Sequence, residues 1–191
     1  MRRAIGELAR PMKSQFFGAA LVLLAVSSLG LKSEAKSRAK TMAPQPIAQV
    51  DREYLTKDAQ GSVYDQSTAN LAAQKAQSNA LHAYAIELIG DHARLNQKLL
   101  TLARQKRITV PVTLADEDKT KLDNFSGLSG QAFDRAIIAE FVKINGDDVR
   151  DGRKELSVTR DPQVKRTVTE FVRTEEKHLR KARALQKQIG R

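Results

Sequence analysis

His178 occupies a position where a helical pattern predicts a buried apolar residue. The other members of its seven-residue row are apolar, namely Val164, Phe171 and Leu185, and such a row marks the buried face of an amphipathic helix. His92 occupies an equivalent position in an apolar row of an earlier helix. Burying an imidazole without a partner costs on the order of a few kcal/mol. Both histidines are therefore expected either to be hydrogen-bonded in the core or to bind a ligand there.

Carboxylates at inward positions could complete a metal site with these histidines. Glu175 precedes His178 by three residues, so the two side chains project from one face of the helix. Asp65 lies at an inward position of the first helix. Imidazole and carboxylate groups together suit iron, zinc or copper. The candidate ligands of a single transition metal are therefore His92, His178, Asp65 and Glu175.

A complete di-iron centre is not supported by the sequence. Such a centre in a helical bundle uses two Glu-x-x-His pairs and two further glutamates. The chain has one pair of this kind, Glu175 with His178.

A structural role is the alternative to a metal site. Asn145 lies on the apolar side of another helix, and its side chain offers both a donor and an acceptor. It could join His92 and His178 in a buried hydrogen-bonded cluster that sets the register of the helices. For two isolated core histidines, this structural interpretation is favoured over the metal site.

Four long helical patterns carry these residues. They run over about 51–76, 79–106, 131–156 and from 162 almost to the end, with candidate N-caps at Ser78 or Asn79 and at Asp161 before Pro162. Residues 107–114 are extended around a proline but have no partner strand, so we predict a packed loop, followed by a short helix over 116–125. The pattern predicts an all-α fold, a four-helix bundle with an extra short helix in the crossover between helices 2 and 3.

Residues 1–40 have the pattern of a signal peptide or an N-terminal membrane anchor. The basic stretch "MRRAIGELARPMKSQ" precedes the uncharged run "FFGAALVLLAVSSLGL", the order found in export signals. As a helix this run would reach about 24 Å, short of the ~30 Å hydrocarbon core. Basic residues crowd the small-x-Ala cleavage patterns and hinder translocation. We expect an exported, periplasmic or envelope-associated protein, with an uncleaved inner-membrane anchor as the alternative, a linker over 41–50 and a bundle domain over 51–191.

Basic residues form a row on the last helix, away from the predicted core. The formal net charge at pH 7 is +11, and the row consists of Arg166, Arg173, Arg180 and Lys187. It lies about 200° around the helix from the row of His178. A solvated face is the ordinary interpretation, and contact with anionic lipid or an envelope polymer is the alternative. Nucleic acid is not an expected partner, because no binding motif is present and no aromatic residues interleave with the basic ones.

Several classes of catalytic site are excluded by composition. Cysteine is absent, which removes disulfides, thiol nucleophiles, iron–sulfur clusters and a lipid-modified N-terminal cysteine. The chain also lacks a Ser-His-Asp arrangement, a glycine-rich phosphate loop and a His-Glu-x-x-His motif. No catalytic residue is assigned, and the sequence favours a protein without enzymatic activity.

Four stretches of the chain together resemble the domain of unknown function 4142 family. They are "DREYLTKDAQGSVYDQSTANLAAQKA", "AYAIELIGDH", "LSGQAFDRAIIAEFVK" and "EKHLRKA", spread from about residue 51 to 184. The resemblance implies an exported bacterial protein with a ferritin-like helical bundle, often described as a membrane or outer-membrane protein. It implies no established reaction.

The resemblance also assigns particular residues. It implies that His92 and His178 are the family's core histidines and that "LSGQAFD", residues 128–134, is its characteristic turn. The chain departs from the family in having Asn145 where a histidine is usual, and Asp65 near the place of a usual glutamate. If the family's histidines are ligands, this chain has lost one of them.

These observations predict an exported ferritin-like bundle of unknown biochemical activity, without enzymatic function and with a role in envelope stress or homeostasis. One alternative is a metal-binding or redox protein that uses His92 and His178. Another is an anchored interaction module that presents its basic last helix to anionic surfaces.

Overall fold

The computed structural model describes residues 47–190, and all regular structure within them is α-helical. The helices are α1 (Gln49–Lys75), α2 (Asn79–Gln105), α3 (Asp116–Ser126), α4 (Gly130–Val158) and α5 (Pro162–Ile189). The prediction of an all-α fold with one short helix between the second and third long helices is confirmed. The predicted export segment, residues 1–40, lies outside the described residues. None of the five helices combines the length and the apolar character needed to cross a membrane.

Polar side chains begin the helices that follow the two short joints. Ser78 caps α2 by accepting a backbone N–H of its first turn. Asp161 caps α5 by accepting the N–H groups of Gln163 and Val164, and Pro162, which has no N–H, occupies the first helical position, where none is needed. Both caps confirm the sequence prediction.

Asp134 ties the beginning of α4 to the joint between α1 and α2. Its carboxylate is buried and accepts hydrogen bonds from the backbone N–H groups of Gln77 at 3.0 Å and Ser78 at 2.7 Å. Gly130, at the start of α4, has a φ of 59°, in the left-handed region that glycine adopts without strain. The motif "LSGQAFD" therefore has a structural role as a clamp between two helix ends.

The four long helices pack side by side as a helical bundle. α1 packs against α2 and α4, α5 packs against α4 and α2, and α3 lies against α1 and α4. Short joints connect α1 to α2 and α4 to α5, whereas residues 106–129 form the longer connection that contains α3. The segment 107–114 contains no strand, and Ile108 is buried in the core. The prediction of a packed loop is confirmed.

The apolar core consists of two clusters at different levels of the bundle. One contains Leu81, Leu88 and Phe141 together with Leu185 near the end of α5. The other surrounds Leu99 on α2 and includes Val164 and Phe171 on α5; both clusters also include residues of α1. Between the two clusters, the buried residues of α2 and α5 are polar, namely His92, Glu175 and His178. This polar layer contains both core histidines.

Candidate metal centre

Three of the four predicted metal ligands meet in the polar layer. His92 lies on α2, Glu175 and His178 lie one turn apart on α5, and each is at most 2% exposed. The Nδ1 atom of His178 is 3.4 Å from one carboxyl oxygen of Glu175, and the Nε2 atom of His92 is 3.9 Å from the other. The imidazole centroids are 5.6 Å apart. The two histidines therefore lie at one level of the core, as a shared buried cluster requires.

Glu175 and His178 carry polar atoms that have no hydrogen-bond partner. Both oxygens of Glu175 and the Nδ1 atom of His178 are shielded from solvent and make no hydrogen bond, although Nδ1 and one of the oxygens lie 3.4 Å apart. Buried polar atoms are nearly always paired, and a buried carboxyl group without a partner is costly. A cation held between Glu175 and His178 would satisfy all three atoms at once.

The spacing of these atoms suits a transition-metal ion. Two ligand atoms about 2.1 Å from a tetrahedral zinc ion lie roughly 3.4 Å from each other. The Nδ1 atom of His178 lies at that distance from one oxygen of Glu175, and the Nε2 atom of His92 lies 3.9 Å from the other oxygen. One ligand atom from each of the three residues lies within 4.8 Å of the others. A small side-chain adjustment would therefore bring three ligands to one ion, which leaves a fourth position for another ligand.

The two histidines differ in their tendency to hold a proton. Burial lowers the pKa of His92. The charge of Glu175 opposes this effect, whereas the nearby His178 adds to it. Burial also acts to lower the pKa of His178, but its interactions with Glu175 and then with Asp91 outweigh that effect and raise it. His92 is thus favoured in the neutral form that binds metals, whereas His178 must release a proton before its Nδ1 atom can do so.

Asp91 contacts His178 on the side away from Glu175. Its Oδ2 atom lies 2.9 Å from the Nε2 atom of His178, and it also forms ion pairs with Arg94 and Lys177. A carboxylate on the second nitrogen of a histidine orients the ring and increases the basicity of the first nitrogen. Asp91 is absent from the predicted site, although it directly precedes His92 in the "GDH" element.

Glu87, Asp91 and His178 form a second group whose ligand atoms lie close together. Lys177 and Lys181 both pair with Glu87, and Lys177 also lies 3.5 Å from Asp91. These ammonium groups already neutralise the carboxylates and would repel a metal cation. The group around Glu175 is therefore the better candidate for a metal.

Asn145 is buried as predicted, but it does not hydrogen-bond to a histidine ring. Its Nδ2 atom donates to the hydroxyl of Tyr84 at 2.9 Å, and that hydroxyl donates to the backbone carbonyl of His178 at 3.0 Å. Asn145 and Tyr84 therefore link α4, α2 and α5 through the backbone of the histidine. The expected contact between Asn145 and the two imidazoles is wrong, because the hydroxyl of Tyr84 accepts the hydrogen bond from the Asn145 amide instead.

Asp65 is buried on α1 but contributes no oxygen to the group formed by His92, Glu175 and His178. Burial raises its pKa, and the carboxyl groups of Glu175 and Asp58 add to this effect. It belongs instead to a set of buried and half-buried acidic residues on α1 and α4. The other members are Asp51, Asp58, Asp148 and Glu155. The predicted site does not include them, although their seven-residue spacing places them on one face of each helix.

Comparison with known proteins identifies relatives in sequence and in fold. The family model described as domain of unknown function (DUF4142) matches residues 36–185. No curated protein matches the chain in sequence. The DUF305 fragment from Deinococcus radiodurans is similar in structure with a TM-score of 0.68 and 11% identity, covering 75% of this chain and 99% of the fragment. CopM in the Cu(I)-bound form has a TM-score of 0.62 and 17% identity, covering 72% of this chain and 96% of CopM. At such identities the likeness concerns the fold.

Proposed function

The chain belongs to the domain of unknown function 4142 family, and because that family carries no assigned activity, we propose a function from the chemistry of the core. The bundle binds one divalent transition-metal ion through His92, Glu175 and His178. Asp91 acts from the second nitrogen of His178 and holds that ring in position. The observation that carries this proposal is Glu175, a fully buried carboxyl group that lies between two histidines and whose two oxygens make no hydrogen bond.

The ligand set selects among metals. Two imidazoles and one carboxylate suit zinc, iron(II) or copper(II). CopM, which shares the fold, is described with Cu(I) bound, but Cu(I) prefers thiolate and thioether ligands. This chain has no cysteine, and its methionines, at positions 1, 12 and 42, precede the described bundle. We therefore propose a divalent ion rather than Cu(I).

Elemental analysis of the protein purified without a histidine tag tests this function. After zinc loading and removal of free metal, we expect one ion per chain. We expect the bound ion to be lost in His92→Ala, His178→Ala and Glu175→Gln. The control His82→Ala should retain it, because His82 is exposed and lies outside the buried row of α2. Circular dichroism should verify that each variant is folded. A stoichiometry that is equal in all four variants would contradict the proposal.

The arrangement of helices supports a ferritin-like bundle. Such folds join two antiparallel helix pairs by one long crossover. In this chain, the connection through α3 links the pair α1 and α2 to the pair α4 and α5 in the same way. With one Glu-x-x-His pair, the site would hold a single ion rather than a di-iron centre. We propose a storage, buffering or sensing role in the cell envelope rather than catalysis.

An envelope location is proposed from residues 1–40 alone. Fractionation of cells that express the full-length protein, followed by N-terminal sequencing, tests it. We expect an envelope or periplasmic product, and its first residue will distinguish a cleaved signal from an anchor. A cytoplasmic product that retains Met1 would contradict export.

The basic row of α5 supports a second candidate function, contact with an anionic surface. Arg166, Arg173, Arg180 and Lys187 are all exposed, and none of the ion pairs within residues 47–190 involves them. Changing Arg173 and Arg180 to Gln should cost under about 1 kcal/mol of stability, because exposed charges contribute little. It should also weaken binding to anionic vesicles. Vesicle binding that is independent of salt would contradict this candidate.

A further inference from the structure

A second polar region lies in a cleft bordered by α1, α4 and the first turn of α3. The cleft encloses about 520 Å³ and is lined by seven acidic and two basic side chains. The acidic ones include Asp58 from α1, Asp148 and Glu155 from α4, and Glu117 and Asp118 from α3. Its volume falls within the range of about 300–1,000 Å³ that is usual for small-molecule sites. The metal centre contributes none of its three ligands to this lining.

Glu155 is the feature of the cleft that indicates a ligand. It is only 3% exposed, and its Oε1 atom has no hydrogen-bond partner. The hydroxyl of Tyr54 and the Oδ2 atom of Asp148, both in residues of the same lining, are also shielded and unpaired. Such atoms are rare in folded proteins without water, an ion or a ligand to pair with them.

The two lysines of the lining do not reach these inner groups. The ammonium of Lys57 is 2.6 Å from Asp151, and its side chain is 75% exposed. Lys154 is exposed as well. The inner carboxyl groups of Asp148 and Glu155 therefore lack a cationic partner from the cleft itself.

The shape of the acidic group favours an organic cation over a metal ion. Among the described residues, no three carboxyl groups of this cleft bring oxygens within 4.8 Å of one another. The volume of about 520 Å³ is far more than one ion requires. Val50 and Val158 add apolar surface to the lining, which suits methylene groups. We propose that the cleft binds a linear polyamine, with its ammonium groups paired to Glu155, Asp148 and Asp58 and its methylene chain against the valines.

Isothermal titration calorimetry with spermidine at low ionic strength tests this site on the full-length chain. We expect saturable binding, and Glu155→Gln and Asp148→Asn should each weaken it roughly tenfold, as for the loss of one charged hydrogen bond. Glu117→Gln, at the exposed rim, should weaken it by roughly twofold to fivefold with little effect on folding. The matched control is Asp123→Asn, an equal charge change at an exposed residue of α3 outside the lining.

Spermidine binding to the cleft can be distinguished from general attraction and from binding at the metal centre. Because the whole chain has a formal charge of +11, general attraction of a polycation is disfavoured and binding reports the cleft. Equal weakening by Asp123→Asn, absence of spermidine binding, or displacement of spermidine by equimolar magnesium would each overturn the proposal. Retention of spermidine binding by His178→Ala would support it and would separate this site from the metal centre, so that either proposal can fail alone.

Discussion

The Nε2 atom of His178 lies 2.9 Å from the Oδ2 atom of Asp91, on the opposite side of the imidazole ring from Glu175. The histidine is thereby held between a carboxylate near the bundle surface and a fully buried one. This contact determines the orientation of the ring and the nitrogen that is presented to Glu175 and His92. It is the arrangement in which a second carboxylate commonly supports a metal-binding histidine.

Asp91→Asn should weaken metal binding without unfolding the protein. The amide can still hold the imidazole by a hydrogen bond, but it supplies no negative charge, so Nδ1 becomes a poorer ligand. We expect a loss of about 10–100-fold in zinc affinity, measured by competition with a chromophoric chelator. Asp123→Asn, an exposed site, serves as the control. An unchanged affinity in Asp91→Asn would show that the contact is only structural.

Metal binding should weaken as the pH falls. The metal must displace a proton from His178, whose pKa is raised above its usual 6.5, whereas the lowered pKa of His92 keeps that ring neutral to lower pH. Zinc affinity should therefore decrease as the pH falls through the pKa of His178. Chelator competition at a series of pH values between about 8 and 5.5, bracketing the usual histidine value, measures this dependence. A constant affinity over that interval would argue against His178 as a ligand.

The metal-free protein should be more stable at mildly acidic than at alkaline pH. Burial and the neighbouring carboxyl group of Asp51 raise the pKa of Glu155 from 4.5 to about 7, and burial together with Glu175 raises that of Asp58 from 3.8 to about 8. Between the unfolded and the folded values, the folded state holds protons that the unfolded state has lost. The free energy of unfolding therefore decreases as the pH rises through that window.

The two histidines modify this dependence in opposite ways. His178, with a raised pKa, adds to the loss of stability above pH 6.5, whereas His92, with a lowered pKa, opposes it below that value. Thermal melts at intervals from pH 5 to 9 should show a falling Tm, and Glu155→Gln should flatten the fall. A Tm that rises steadily over that range would contradict the prediction. This interval contains the raised pKa values of Glu155 and Asp58.

Gly152→Ala should destabilise the contact between α4 and α5. An added Cβ atom would lie 2.5 Å from the Cγ2 atom of Val172, and overpacking of this kind costs about 1–3 kcal/mol. Gly61→Ala is the matched control, because a Cβ atom there meets nothing within 4 Å. That change should stabilise α1 by roughly 0.5–1 kcal/mol. Urea unfolding measures both, and equal midpoints for the two variants would contradict the packing argument.

The seven-residue rows of the sequence determined the helices and the face that each presents to the core. His92 and His178 are buried because neighbouring positions in their rows are apolar, and burying that surface stabilises the fold. The caps at Ser78 and Asp161 could also be predicted from the sequence, because the first N–H groups of a helix need acceptors close by in the chain. These are short-range effects, which a single stretch of chain contains in full.

Only the tertiary structure decided which inward residues touch. A row specifies the direction of a side chain around its own helix but not its level along a neighbouring helix, which depends on how side chains interlock. The axial register of α2 and α5 brings Asp91 to His178 and Glu175 to His92, while Asp65 contributes no atom to that group. Tyr84 reaches Asn145 for the same reason. The close packing at Gly152, which leaves no room for a methyl group, helps to set the relative positions of α4 and α5. The pattern within either helix alone could not specify those positions.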